Sequence, residues 1–90
     1  MTKQELTDAL AWMQNLQARI AFNGIIDTEI EMSWHPTTKR YTLDFNFYLR
    51  EKGDWAFFSI KSDYNEEAII KTKDRILAYL EQFGIKPFSV

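Results

Sequence analysis

Apolar and polar positions follow two different periods along this chain, and together they divide it into five elements. Leu6, Ala9, Leu10, Met13, Leu16 and Ile20 recur at three- and four-residue steps, forming one stripe of an amphipathic helix. Thr2 followed by Glu5 has the spacing of a capping box at its start. Asn23-Gly24 is expected to stop it, because glycine accepts the left-handed conformation that follows a helix end. Gln17 interrupts the stripe. The opposite face (Ala11, Asn15, Ala18, Phe22) is short of charge and free to meet a second helix or a partner.

The period then falls to two. Ile26, Thr28, Ile30, Met32 and Trp34 alternate with Asp27, Glu29, Glu31 and Ser33, giving a first strand with one apolar and one acidic face. Pro36 fixes φ and removes a donor, so residues 35–40 read as a turn. The strongest alternation follows. Tyr41, Leu43, Phe45, Phe47 and Leu49 share one face, while Thr42, Asp44, Asn46, Tyr48 and Arg50 share the other. Glu51-Lys52-Gly53-Asp54 is a second tight connection. A third strand runs from about Trp55 to Lys61, with Ala56, Phe58 and Ile60 on one face and Trp55, Phe57 and Ser59 on the other. Helical spacing then returns. Asp63 or Asn65 caps a helix whose apolar residues are Ile69, Ile70, Ile76, Leu77, Leu80 and Phe83, with Tyr79 beside them and Lys73 snorkelling. Phe83-Gly84-Ile85 repeats the earlier stop signal, ahead of a short tail carrying Ile85, Pro87, Phe88 and Val90.

The sequence therefore predicts one α+β domain over residues 1–90, in the order α-β-β-β-α. Its sheet is a three-stranded antiparallel meander with two helices packed on one face. Symmetric hairpins would pair Trp34 with Tyr41 and Arg50 with Trp55. The inner rows then become Met32–Leu43, Ile30–Phe45–Ile60, Thr28–Phe47–Phe58 and Ile26–Leu49–Ala56, apolar except at Thr28. The outer face divides in two. Tyr48, Arg50, Trp55 and Phe57 make an aromatic corner, and Asp27, Glu29, Glu31 and Asp44 make an acidic side, with Asp44 between Glu31 and Lys61.

Composition narrows the chemistry. Hydrophobic residues make up 46% of the chain and aromatic residues 16%, ample for a core without staples. The absence of cysteine removes disulfides and thiolate metal sites, and the single His35 removes any histidine cluster. No metal site, cofactor or catalytic residue is expected. The three glycines lie too far apart for a phosphate-binding loop, and the carboxylates of the first strand sit on an open sheet rather than in a cleft that raises one pKa. A net charge of −2 argues against a general nucleic-acid binder. No apolar run approaches the ~20 residues that span a bilayer, and Glu5 and Asp8 stand where a signal peptide carries basic residues. A cytoplasmic location is expected.

A non-enzymatic protein-interaction domain fits these features best. It would work through Tyr48, Arg50, Trp55 and Phe57 on an unidentified protein or on a second copy, since clustered Tyr, Trp and Arg mark interface hot spots. The bland alternatives are simple cross-strand packing, with Arg50 stacked on Trp55, or a lid made by the C-terminal tail.

The element order also resembles that of double-stranded-RNA-binding domains. That resemblance implies RNA contact through the loop between the first two strands, here His35, Pro36, Lys39 and Arg40, and through a basic start to the second helix. This chain instead opens that helix with Asn65-Glu66-Glu67, which would face phosphate with carboxylates. In size and character the chain also looks like accessory proteins of phages and other mobile elements. That likeness implies an acidic inhibitor that blocks a nucleic-acid-binding protein through Asp27, Glu29 and Glu31.

Overall fold

The computed structural model describes residues 1–88. It contains α1 (Lys3–Arg19), β1 (Ile26–His35), β2 (Arg40–Leu49), β3 (Asp54–Lys61) and α2 (Glu66–Glu81). The strands form one antiparallel sheet in the order β1-β2-β3, as the alternation predicts. The molecule is 18 Å across its shortest axis, the thickness of one sheet and one helix layer. β2 is central. Leu43, Phe45, Phe47 and Leu49 are all buried, with Phe45 and Phe47 stacked at 4.6 Å. Fully burying each such side chain contributes about 1.5–3 kcal/mol.

Both helices start as their sequences dictate. Thr2 Oγ1 accepts the Glu5 N–H while the Glu5 carboxylate accepts the Thr2 N–H, which completes the capping box. Of the two possible caps for α2, Asn65 is used, its Oδ1 accepting the Ala68 N–H at 2.8 Å. Asp63 instead pairs with Arg40 at 2.9 Å. At the far end of α2 the Ile85 N–H reaches Leu80 O and the Gly84 N–H reaches Glu81 O, with Gly84 at φ +73°. This is a Schellman stop. Ile70 is not part of the buried stripe: it is 49% exposed, and Thr72 is buried with its hydroxyl donating to Ala68 O. Lys73 holds its ammonium 5.3 Å from the Trp12 ring.

α1 ends earlier than expected, at Arg19, and Phe22 takes the left-handed conformation with φ 67°. The cause is Asn23. Its Nδ2 donates to Ile20 O at 2.7 Å and to Ile26 O at 3.0 Å, while its Oδ1 accepts the N–H groups of Ile25 and Ile26. One amide thus satisfies the frayed helix end and the start of β1, and Phe22 is turned out of the helix into water.

The first hairpin has the expected register, with β1 extending to His35, paired to Arg40. The loop is Pro36 to Lys39, and Lys39 supplies its positive φ of 53°. The second hairpin differs. Leu49 pairs with Asp54, not Arg50 with Trp55, so β3 is displaced by two residues. Gly53 decides this. With φ +68° and its N–H bonded to Leu49 O, it occupies the last loop position, and the strand must begin at Asp54. A two-residue displacement preserves faces but changes partners. The inner rows become Met32–Leu43–Ile60, Ile30–Phe45–Phe58, Thr28–Phe47–Ala56 and Ile26–Leu49–Asp54.

Two polar intruders of the sequence pattern meet each other. Gln17 Nε2 donates to Thr28 Oγ1 at 3.0 Å, so the odd residue of the helix stripe satisfies the odd residue of the inner sheet face. Thr28→Val alone leaves the Gln17 amide without this acceptor and is expected to cost about 1–3 kcal/mol. Gln17→Leu with Thr28→Val is expected to return to within about 1 kcal/mol of the native chain in urea denaturation. A double variant no more stable than the single would remove the pair as the cause.

Candidate functional site: the open face of the sheet

The helices cover one face of the sheet only, and the register fixes what the other face presents. Its rows are Ser33–Thr42–Lys61, Glu31–Asp44–Ser59, Glu29–Asn46–Phe57 and Asp27–Tyr48–Trp55. Acid therefore lies along β1, small and polar groups along β2, and aromatic groups along β3. Tyr48 and Trp55 are cross-strand neighbours with ring centroids 4.9 Å apart, and Trp55 stacks on Phe57 at 6.0 Å and 11°. Trp55 is 51% and Phe57 64% exposed. These three rings form a connected apolar row open to solvent.

Arg50 does not join them. The corrected register leaves it in the β2–β3 loop, where its guanidinium binds Asp27 across the sheet, Nε to Oδ1 at 2.9 Å. The expected stacking of Arg50 on Trp55 is absent because the carboxylate opposite outcompetes a ring face for an exposed guanidinium. The hydrogen bond from Arg50 holds the Asp27 carboxyl below the usual aspartate range. The acidic side is also smaller than its four residues suggest. Asp27 is committed to Arg50, and Asp44 accepts the Ser59 hydroxyl rather than facing Lys61. Among the described residues, Glu29 and Glu31 make no ion pair, and both are exposed. At the centre, the Asn46 amide oxygen is buried without a donor.

The tail does not close this face. Residues 85–88 run along the helix side, where Arg19 donates to Pro87 O and Phe88 packs against Trp12 with the Arg19 guanidinium 5.0 Å from its ring. Val90, the tail's last apolar residue, lies outside the described residues.

The 35–40 loop stands at the opposite end of the sheet from Trp55. His35, Lys39 and Arg40 are exposed, but Arg40 is held by Asp63, close to Glu66 and Glu67 at the start of α2. Its charge is locally balanced. Among the described residues no group of three or more His, Asp or Glu is arranged to hold a metal ion, and no helix is long and apolar enough to cross a membrane.

Two exposed features escape the sequence pattern. Met32, Trp34 and Tyr41 have inward parity yet are 49%, 49% and 40% exposed, with the Trp34 and Tyr41 rings 4.7 Å apart. A helix of α1's length spans about 25 Å, whereas a ten-residue strand spans about 33 Å, so the last rows project past it. They border a groove of about 300 Å³ lined also by Met1 and Leu6. The second feature is Phe22, fully exposed at the loop that adjoins Arg50 through the Arg50 N–H bond to Ile25 O. The only hint of it was the Asn-Gly that follows.

No protein-family model, curated protein or solved structure matches this chain. The likeness to double-stranded-RNA-binding domains therefore rests on element order alone.

Two outcomes follow from these contacts. Because the Asp27 carboxyl is depressed by Arg50, its contribution to stability is complete above the unfolded aspartate pKa of about 4 and is lost as pH falls through the lower folded value. Arg50→Gln is expected to lower Tm at pH 7 and to make the difference from the native chain vanish toward pH 2. Phe22→Gly relieves a left-handed backbone that a bulky side chain resists, and is expected to stabilise the chain by about 1 kcal/mol in chemical denaturation.

Proposed function

We propose that this chain is a non-enzymatic protein-interaction domain that binds through the open face of its sheet. Tyr48, Trp55 and Phe57 form the contact centre, with Glu29 and Glu31 as an acidic rim. One observation carries the proposal: a connected aromatic row lies on a broad surface that neither the helices nor residues 85–88 cover. Aromatic centres of this kind, desolvated by a partner and ringed by polar groups, supply most of the energy of typical interfaces. The chemistry on the face describes the partner as well. It presents an apolar centre for Trp55 and Phe57, and basic groups about two strand spacings away, roughly 10 Å, to meet Glu29 and Glu31.

The nucleic-acid alternative through residues 35–40 has less support, because Arg40 is neutralised by Asp63 and the carboxylates of α2 stand next to the loop. The acidic-inhibitor alternative has only Glu29 and Glu31 left to act with, since Asp27 and Asp44 are engaged internally.

The test is affinity capture from the native host with the wild-type chain and with Trp55→Ala/Phe57→Ala, followed by titration of the captured protein. The double variant is expected to fold normally and to weaken binding by at least about a hundredfold, two hot-spot truncations at over 1 kcal/mol each. Equal binding by both chains would exclude this face. Duplex RNA binding at low salt that is lost on neutralising Lys39 and Arg40 would favour the loop instead.

A further inference from the structure

β3 is an edge strand, and its hydrogen-bonding parity determines what that edge offers. The Ser62 N–H donates to Tyr41 O at 3.0 Å. In an antiparallel ladder such paired residues alternate, so Asp54, Ala56, Phe58 and Ile60 turn their backbone groups toward β2. Trp55, Phe57, Ser59 and Lys61 turn theirs away from it. Among the described residues, no hydrogen bond from outside the sheet reaches the backbone of Trp55, Phe57 or Ser59, whereas Lys61 O already accepts the Tyr64 N–H. The free edge is thus three residues long, centred on Phe57, with donor and acceptor both open at each.

Edge strands normally carry a device against pairing: a central charge, a proline or a bulge. β1 has one. Its outward residues Asp27, Glu29 and Glu31 would oppose their own copies in an antiparallel pair. β3 has none between its ends. It reads Asp-Trp-Ala-Phe-Phe-Ser-Ile-Lys, with a negative charge at one end and a positive charge at the other. Antiparallel apposition of two such strands brings Lys61 of each copy to the Asp54 end of the other, and a parallel arrangement would set like charge beside like.

We infer that β3 pairs with β3 of a second copy of this chain, antiparallel across a two-fold axis at Phe57. Phe57 then faces its own copy and Trp55 faces the copy's Ser59, using all three open residues in about six backbone hydrogen bonds. The inner face adds Ala56 against Phe58. The sheet becomes six-stranded, and the two aromatic rows of the outer face merge into one. Arg75, whose guanidinium lies 5.5 Å over Phe58, is brought nearer its copy; it is exposed, so solvent screens the repulsion. The pairing uses an edge and not the open face, so it stands or falls apart from the partner proposed above.

Sedimentation velocity combined with amide hydrogen exchange across a range of protein concentrations tests it. A dimer is expected in which the amides of Trp55, Phe57 and Ser59 gain protection as concentration rises, while those of Ala56, Phe58 and Ile60 are protected throughout. Phe57→Pro removes an outward donor without touching the β2 ladder and is expected to weaken the dimer at least tenfold more than Phe57→Ala does. Because proline there also risks the fold, charge provides a second route. Lys61→Glu alone is expected to weaken the dimer, and Lys61→Glu with Asp54→Lys to restore it. A monomer at every concentration, or a dimer without the alternating protection, would overturn the inference.

Discussion

Phe47 sits where the two layers of this molecule are joined. Its ring stacks on Phe45 within β2, meets Phe58 of β3 edge-on at 5.7 Å, and touches Tyr79 of α2 at 5.5 Å. Tyr79 in turn packs on Phe58 and Phe83, so a single aromatic chain runs from the middle strand to the end of the last helix. This contact is possible only if every second residue of β2 points inward, and that parity sends Asp44, Asn46 and Tyr48 outward with no choice left. The surface available for binding is therefore a by-product of the core. A one-residue slip of β2 would expose Phe45 and Phe47 together, at a cost of several kcal/mol, so the outer face is as firmly specified as the inner one.

Much of this was legible in the chain. Periods of two and near 3.6 gave the five elements, and Thr2 with Glu5 gave the first cap. Pro36 and the even spacing of the first hairpin gave its register. The second hairpin was not legible to the same degree, because Glu51-Lys52-Gly53-Asp54 admits two four-residue loops. Only the requirement that Gly53 take the positive φ at the final loop position separates them. That two-residue difference moved Arg50 from Trp55 to Asp27 and Asp44 from Lys61 to Ser59. The aromatic members of the site survived, since their faces depend on parity alone. The charged members changed partners, since theirs depend on register. Phe22 escaped for a different reason: helical spacing continued it along α1, and only the side-chain hydrogen bonds of Asn23 end the helix before it.

The division of the outer face by strand also separates two physical roles. Carboxylates on β1 keep that edge apart from other chains, and their repulsion acts at a distance set by ionic strength. The β3 side relies on contact, and rings at van der Waals range are indifferent to salt. A surface of this kind meets a partner in two stages, with charge orienting the approach and aromatic burial setting the lifetime of the complex.

The bond between Gln17 and Thr28 has a further consequence for how α1 is seated. Apolar stripes are forgiving: a helix rotated or slid by one turn, about 5.4 Å, still buries leucine and methionine against a sheet. Here such a shift would strand two polar groups in a dry layer, each at about 1–3 kcal/mol, a large share of the 5–15 kcal/mol by which domains are typically stable. The pair adds little to the depth of the native energy minimum. What it does is raise the neighbouring minima, so that a short helix on a mostly hydrophobic face has one docking position instead of several.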